Sequence, residues 1–300
     1  MSGPLRILWP VLWTTAYGLV TCAVTLLWSN NLGPWLIGFI VLWLVLRNWL
    51  ARGQWRLAMA VRRFRTISDD HVIIHYAPEL EGAWDMPTLL QRCRQHHDKL
   101  ADRFGSPLRR RAVVFLCASY RDVGQIFGPR YSGIALWYAN AIVIGSDSNI
   151  DEIVRHELGH LFAFRWNMGA PPLLGEGLSV WLQETDQGLP IDTAVQPALA
   201  DRSLKLPRLL MRKVFFSEAK RHSCYLLAGS FTGFMILRYG WDRYRKVFCR
   251  CDCTRFQAKF KKYMGVSLER AEWEWRTHIS LMEIYNQRLG RSIYCWPADA

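Results

Sequence analysis

The rhythm of apolar and polar positions changes along the chain. From Ile7 to Leu46 no charged residue occurs. A membrane-spanning helix needs about 20 apolar residues. The turn-forming Ser29-Asn30-Asn31-Leu32-Gly33-Pro34 divides the run into two expected spans, about 7–28 and 34–50. Trp9, Trp13, Trp28, Trp35 and Trp49 lie near their ends, where amphipathic rings favour the interface. The second span is short, and Arg47 near its end can snorkel. The run is too long for the apolar core of a signal peptide, and no clear small-x-small site follows it. Arginine-rich residues 51–69 read as a basic linker. Residues 70–150 alternate strand and helix signals, and residues 151–285 carry mainly helical periodicity. Trp273, Trp275, Ile279, Leu281 and Met282 suggest a final amphipathic helix packed on a core. The expectation is a transmembrane hairpin at 1–50, then a mixed α+β domain over 70–300.

Within the helical half, Ile153, Val154, Leu158, Leu161 and Phe162 form an apolar face, with Ser148 as the expected cap and Asp151 in the first turn. Residues four apart on a helix share a face. In His156-Glu157-Leu158-Gly159-His160 that spacing presents two imidazoles to one metal ion, with Glu157 beside them. This is the H-E-x-x-H arrangement of zinc hydrolases, whose glutamate takes a proton from a zinc-activated water. A catalytic zinc needs a third protein ligand and an open fourth position. Ala163 and Trp166 stand three and six residues after His160, so the extended pattern with a third histidine is absent. The next candidate is Glu176, in Pro172-Leu-Leu-Gly-Glu-Gly-Leu-Ser-Val-Trp-Leu182, which reads as a second helix after a Gly-Pro break. Two antiparallel helices with a short connection can return Glu176 to the histidine pair.

His-Glu-Leu-Gly-His followed by a proline-led Leu-Leu-Gly-Glu-Gly-Leu-Ser resembles the gluzincin group of zinc metallopeptidases, in the peptidase MA-like superfamily. The likeness runs over about residues 70–265. His71–Pro78 resembles the family's first strand, Leu89–Gly105 its following helix and Ala112–Ser119 its second strand. Tyr131–Gly145 resembles the stretch and edge strand before the active-site helix, and Tyr225–Asp242 a later helix. The resemblance implies a zincin-like peptidase fold, Zn2+ bound by His156, His160 and Glu176, and Glu157 as general base. Relatives often steady the oxyanion with a tyrosine or histidine of the later helix; Tyr225 is the candidate and His222 its rival. Ala141, Ile142 and Val143 are the candidate edge strand, to which an extended peptide substrate adds. Many relatives carry an acid one turn after the third ligand, hydrogen-bonded to a zinc histidine. Here that turn holds Ser179 and Val180, so histidine support must come from elsewhere, such as a backbone carbonyl.

Charge adds placement. Lys and Arg number 38 against 25 Asp and Glu, a net charge of +13. Arg6 precedes the first span and Arg47, Arg52, Arg56, Arg62, Arg63 and Arg65 follow the second, while the turn between them has no basic residue. Positive residues stay on the cytoplasmic side. The expectation is an integral, two-span protein of the cell or inner membrane with its catalytic domain in the cytoplasm. Arg109-Arg110-Arg111 and Lys259–Lys262 are further basic patches, suited to solvent or anionic headgroups. No nucleic-acid motif accompanies them, and nucleic acid is not an expected partner. The 8 cysteines have no disulfide-framework spacing. Cys249, Cys251 and Cys253 would share a face if on a strand, as a soft-metal or redox site would need, though ordinary reduced thiols are the plainer reading.

Together these features lead to a membrane-anchored zinc metallopeptidase acting on peptide or protein substrates. The alternative is a catalytically silent zincin-fold protein serving as a membrane-tethered interaction module. An intramembrane protease is disfavoured, because Asp151, Glu152, Arg155 and Arg165 lie on or beside the metal helix. Nothing in the sequence fixes the oligomeric state. The topology has a direct check. In a cysteine-free background, a cysteine at Ser29 should react with an impermeant thiol reagent in intact cells, and one at Ser68 only after permeabilisation. Labelling of Ser68 in intact cells would reverse the orientation.

Overall fold

The computed structural model describes residues 17–18, 53–129, 131–147 and 149–289. The expected spans, apart from helical Tyr17 and Gly18, and the expected cap Ser148 lie outside the described residues. Among the described residues, no helix is long and apolar enough to cross a membrane. The chain divides into two compact units, Met1–Gln95 with Leu108–Ile150, and His96–Pro107 with Asp151–Ala300. The division falls inside helix α1 (Met86–Phe104).

The first unit is built on a five-stranded mixed sheet of β1 (Arg65–Ser68), β2 (Val72–Tyr76), β3 (Ala112–Cys117), β4 (Gly133–Leu136) and β5 (Ala141–Gly145), in the order β1-β2-β3-β5-β4. β2, β3 and β5 run parallel, and β1 and β4 close the two edges antiparallel. The inner strands β3 and β5 are continuous buried apolar runs, as strands covered on both faces require, while β2 ends on half-buried His75 and Tyr76. Ile73, Val113, Phe115, Ala141 and Val143 face one core, which Val123 and Ile126 of α2 (Tyr120–Phe127) complete. α2 begins on a capping box. The Ser119 hydroxyl accepts from Asp122 N, and the Asp122 carboxylate accepts from Ser119 N at 2.9 Å.

Two expectations are corrected here. Ala141, Ile142 and Val143 are not an edge strand: β5 lies between β3 and β4, and all three residues are fully buried. The unbroken Ala-Ile-Val-Ile run marks an interior strand, and the edge on that side of the sheet belongs to half-buried β4. A peptide therefore cannot pair with β5. Nor is the described part of the expected linker at 51–69, residues 53–69, a linker. Residues 53–60 are helical, and β1 pairs with β2 in register from Arg65↔Tyr76 to Ser68↔Ile73. Leu57, Val61 and Phe64 recur at helical spacing and pack against the sheet's core, while Arg56, Arg62, Arg63 and Arg65 stay exposed. The basic composition of that segment describes its outer face only.

The second unit is mainly helical, as expected for residues 151–285. It holds α3 (Ile150–Ala163), α4 (Pro172–Gln183), a small hairpin of β6 (Thr185–Asp186) and β7 (Leu189–Pro190), then α5 (Arg221–Tyr239), α6 (Trp241–Arg250), α7 (Phe256–Met264) and α8 (Leu268–Leu289). Pro172 at the first turn of α4 pre-sets the backbone and wastes no donor. α5 is buried almost all round from Leu226 to Ile236, and Gly240 (φ +86°) ends it. On α8, Trp275 and Ile279 are buried while Trp273 and Leu281 are exposed. Cys249 belongs to α6, Cys251 is buried just beyond it and Cys253 is exposed, so this triplet is not a strand sharing one face. The six described cysteines are all free.

Close helix approach positions the rest. A Cβ on Gly159 of α3 would stand 3.1 Å from Leu182 Cδ1 and 3.5 Å from Ser179 Cα of α4. A Cβ on Gly177 of α4 would stand 2.7 Å from the Ala228 carbonyl oxygen of α5. That contact is to backbone, which cannot swing aside. Gly177→Ala should therefore lower unfolding stability by about 1–3 kcal/mol through overpacking. Denaturant unfolding of the two proteins checks this, and equal midpoints would mean that α4 and α5 are not held this tightly.

Candidate metal centre

α3 and α4 bring His156, His160 and Glu176 to one point. His160 Nε2 lies 3.2 Å from His156 Nε2, and Glu176 Oε2 lies 3.2 Å from His160 Nε2 and 3.6 Å from His156 Nε2. The spacing is what a metal needs. Donors about 2.0–2.2 Å from a tetrahedral zinc stand about 3.3–3.6 Å apart. The three side chains are 13%, 14% and 18% exposed, so the cluster is sheltered yet reachable. Two imidazole nitrogens and a carboxylate oxygen form a donor set suited to Zn2+.

The fold explains this meeting. α3 turns its apolar side inward through Val154, Leu158, Leu161 and Phe162, all buried. His156 and His160 follow at the margin of that face, half-buried. Phe162 packs on Phe104 at 5.3 Å, Phe104 on Trp166 at 4.5 Å and Trp166 on Trp241 at 5.2 Å, bracing the end of α3. On α4, Glu176 sits one residue before the Gly177 contact with α5. The buried Tyr244 hydroxyl donates to the Leu174 carbonyl at 3.3 Å, adding a second hold on the first turn of α4.

Glu157 is 8% exposed, the neighbour of His156 on α3. Tyr225 of α5 tilts against His156 with ring centroids 6.1 Å apart. Burial, and then the negative charges of Glu176 and Glu157, raise the Tyr225 hydroxyl well above the usual phenol range; it also hydrogen-bonds Glu176. Tyr225 is thus a proton-bearing donor at neutral pH. Burial works against the charge on Glu176, but the neighbouring imidazoles, His160 foremost, outweigh it and hold the carboxyl below the usual range. The rival His222 is instead engaged with Asp186 Oδ2 at 3.3 Å, and its side chain is 63% exposed. That pairing raises its pKa. The structure therefore gathers His156, His160, Glu176 and Tyr225, with Glu157 close enough to act on Tyr225. It leaves Ala141, Ile142 and Val143 inside the sheet of the other unit.

One partner escaped the sequence reading. His156 Nδ1 meets Gln183 Oε1 at 3.1 Å, and Gln183 Nε2 donates to the Thr185 carbonyl at 2.7 Å. A side chain, not a backbone carbonyl, supports this histidine. Gln183 lies seven residues after Glu176, two helical turns along the same face, and that spacing was the available signal. Ser179 could not serve: it is fully buried against Gly159.

No protein-family model matches the chain, and a search of curated proteins finds no match. The geometry carries its own check. Purified protein in excess zinc should hold about one ion per chain by elemental analysis. His156→Ala and His160→Ala should each lose it. Retention of the ion by both variants would place it elsewhere.

Proposed function

We propose that the chain is a membrane-anchored, zinc-dependent metallopeptidase that hydrolyses peptide bonds. The observation that carries this reading is the convergence of His156 Nε2, His160 Nε2 and Glu176 Oε2 at zinc-donor spacing. Glu157 and Tyr225 stand beside that convergence in roles hydrolysis requires. The anchoring part rests on the uncharged run Ile7–Leu46, and the cytoplasmic placement on the arginines that follow it.

Zinc held by these three residues would supply Lewis-acid polarisation of the scissile carbonyl and of water. Glu157 accepts the proton that water gives up on attacking the carbonyl carbon. It then returns that proton to the nitrogen of the departing amine, so the carboxylate is regenerated. Tyr225 keeps its proton and donates a hydrogen bond to the developing oxyanion. The low exposure of Glu157 strengthens both of its transfers, because less water competes for the carboxylate.

Glu157→Gln should keep the metal and lose at least about 10²-fold in turnover of a peptide library, because it removes a base and no ligand. Tyr225→Phe should lose about 10²-fold with the metal retained. Wild-type protein that binds zinc but cleaves no peptide would favour the silent, membrane-tethered interaction module. Full activity in Glu157→Gln would remove that residue from the mechanism.

A further inference from the structure

The hairpin that follows α4 is held in an unusual way. Glu152, one turn before His156 on α3, is 5% exposed. Its carboxylate accepts from Thr185 Oγ1 at 2.7 Å, from Gln187 N at 3.1 Å and from Gly188 N at 2.9 Å. Those groups lie on β6 and in the two-residue turn to β7. Both turn residues have positive φ, +51° at Gln187 and +81° at Gly188, as a primed hairpin turn requires. Glu184, at the end of α4, also has positive φ, +69°. Two non-glycine residues are thus held in unfavourable conformations within four positions, directly after Gln183. Backbone strain of this kind persists where the surroundings enforce it, and it gathers at working sites.

We infer that this hairpin, pinned by Glu152, acts through Gln183 to fix the tautomer of His156, with the ring proton on Nδ1 and Nε2 left open towards His160 and Glu176. An amide can face an imidazole with either end, and the Thr185 carbonyl decides which. It can only accept, so Gln183 must give it the Nε2 hydrogen. Gln183 Oε1 is then the atom turned to His156, and it too can only accept. His156 Nδ1 must therefore carry the proton. In the neutral ring the lone pair then lies on Nε2, the nitrogen 3.2 Å from His160 Nε2. Thr185 links the two halves of the device, because its carbonyl orients Gln183 while its hydroxyl is held by Glu152. Glu152 and Gln183 are positioning residues; neither is among the three converging donors.

The inference rests on the metal-centre reading for its purpose but not for its test. In full-length protein in detergent, labelled with 15N-histidine and freed of metal, ring-nitrogen spectra report each tautomer. The His156 signal is identified by its loss in His156→Ala. It should show the Nδ1–H form in wild type and in Gln183→Glu, which gives up the bond to the Thr185 carbonyl but keeps an acceptor for Nδ1–H. It should show a mixture in Gln183→Leu, which has none, and in Glu152→Ala, which frees the hairpin. An Nε2–H ring in the wild type, or an unchanged ring in Gln183→Leu, would overturn the proposal whether or not zinc binds. Zinc titration against a chromogenic chelator gives the second arm. Gln183→Leu should bind about 10–100-fold more weakly than wild type, with Gln183→Glu restored to wild type or better. If wild type binds one zinc and Gln183→Leu binds it equally well, the positioning role fails and the metal centre stands. If wild type binds none while the tautomer follows Gln183, the metal centre fails and the positioning of His156 stands.

Discussion

Two imidazole Nε2 atoms and a carboxylate oxygen meet across 3.2–3.6 Å at the junction of α3 and α4. Each gives up water to be there, so the meeting depends on a proton or a cation shared among them. The surrounding helices hold the groups in place for it. The histidines stand four residues apart on one face of one helix. Glu176 is locked by the contacts of its own first turn. Much of the second unit can be read as the apparatus that enforces this convergence.

The enforcement depends on small residues where helices meet. Ser179 sits fully buried under Gly159, and Gly177 lies against the Ala228 carbonyl. These approaches also explain why the turn after Glu176 carries no carboxylate. An acid at position 179 would be buried beside the Gly159 backbone, where an unpaired charge costs several kcal/mol. Histidine support therefore moves one turn further, to Gln183 at the open end of the helix. An amide there bears no charge, so it needs no compensating cation.

The sequence was most legible where one periodicity decided the matter. The four-residue spacing of His156 and His160 placed both on one helical face, and α3 has them there. The strand and helix alternation of residues 70–150 gives the observed mixed sheet; the last helix is present, but of its expected packing residues Trp275 and Ile279 are buried while Trp273 and Leu281 are exposed. Strand order was not legible, because a hydrogen-bonding neighbour is a property of two segments and not of one. Ala141–Val143 lie shortly before α3, yet the chain makes β4 first and β5 then inserts beside β3. Composition misled at 53–64, where arginines on the outer face hid the apolar positions that seat the segment. The histidine's partner was hidden for a different reason: Gln183 is an ordinary residue in a helix until the hairpin turns its amide.

That hairpin sets backbone strain against hydrogen bonds to Glu152, which ties the site to one buried carboxylate. Positive φ at Glu184 and Gln187 costs about 1–3 kcal/mol each. Hydrogen bonds to a charged group contribute about 1.5–3 kcal/mol each, and Glu152 accepts three from this segment. Part of that gain is spent on burying Glu152 itself. The strain of the turn and the burial of the carboxylate are thus offset by the same three hydrogen bonds. The Arg155–Glu184 pair, at 3.3 Å, adds little, because its Glu184 end is 60% exposed to solvent. Because Glu152 and His156 stand one turn apart on α3, the residue that holds the hairpin moves rigidly with the histidine the hairpin supports. Bending of α3 would carry both together. Relative motion between α3 and the end of α4 is what would unseat Gln183, and the glycine contact between α3 and α4 limits that motion.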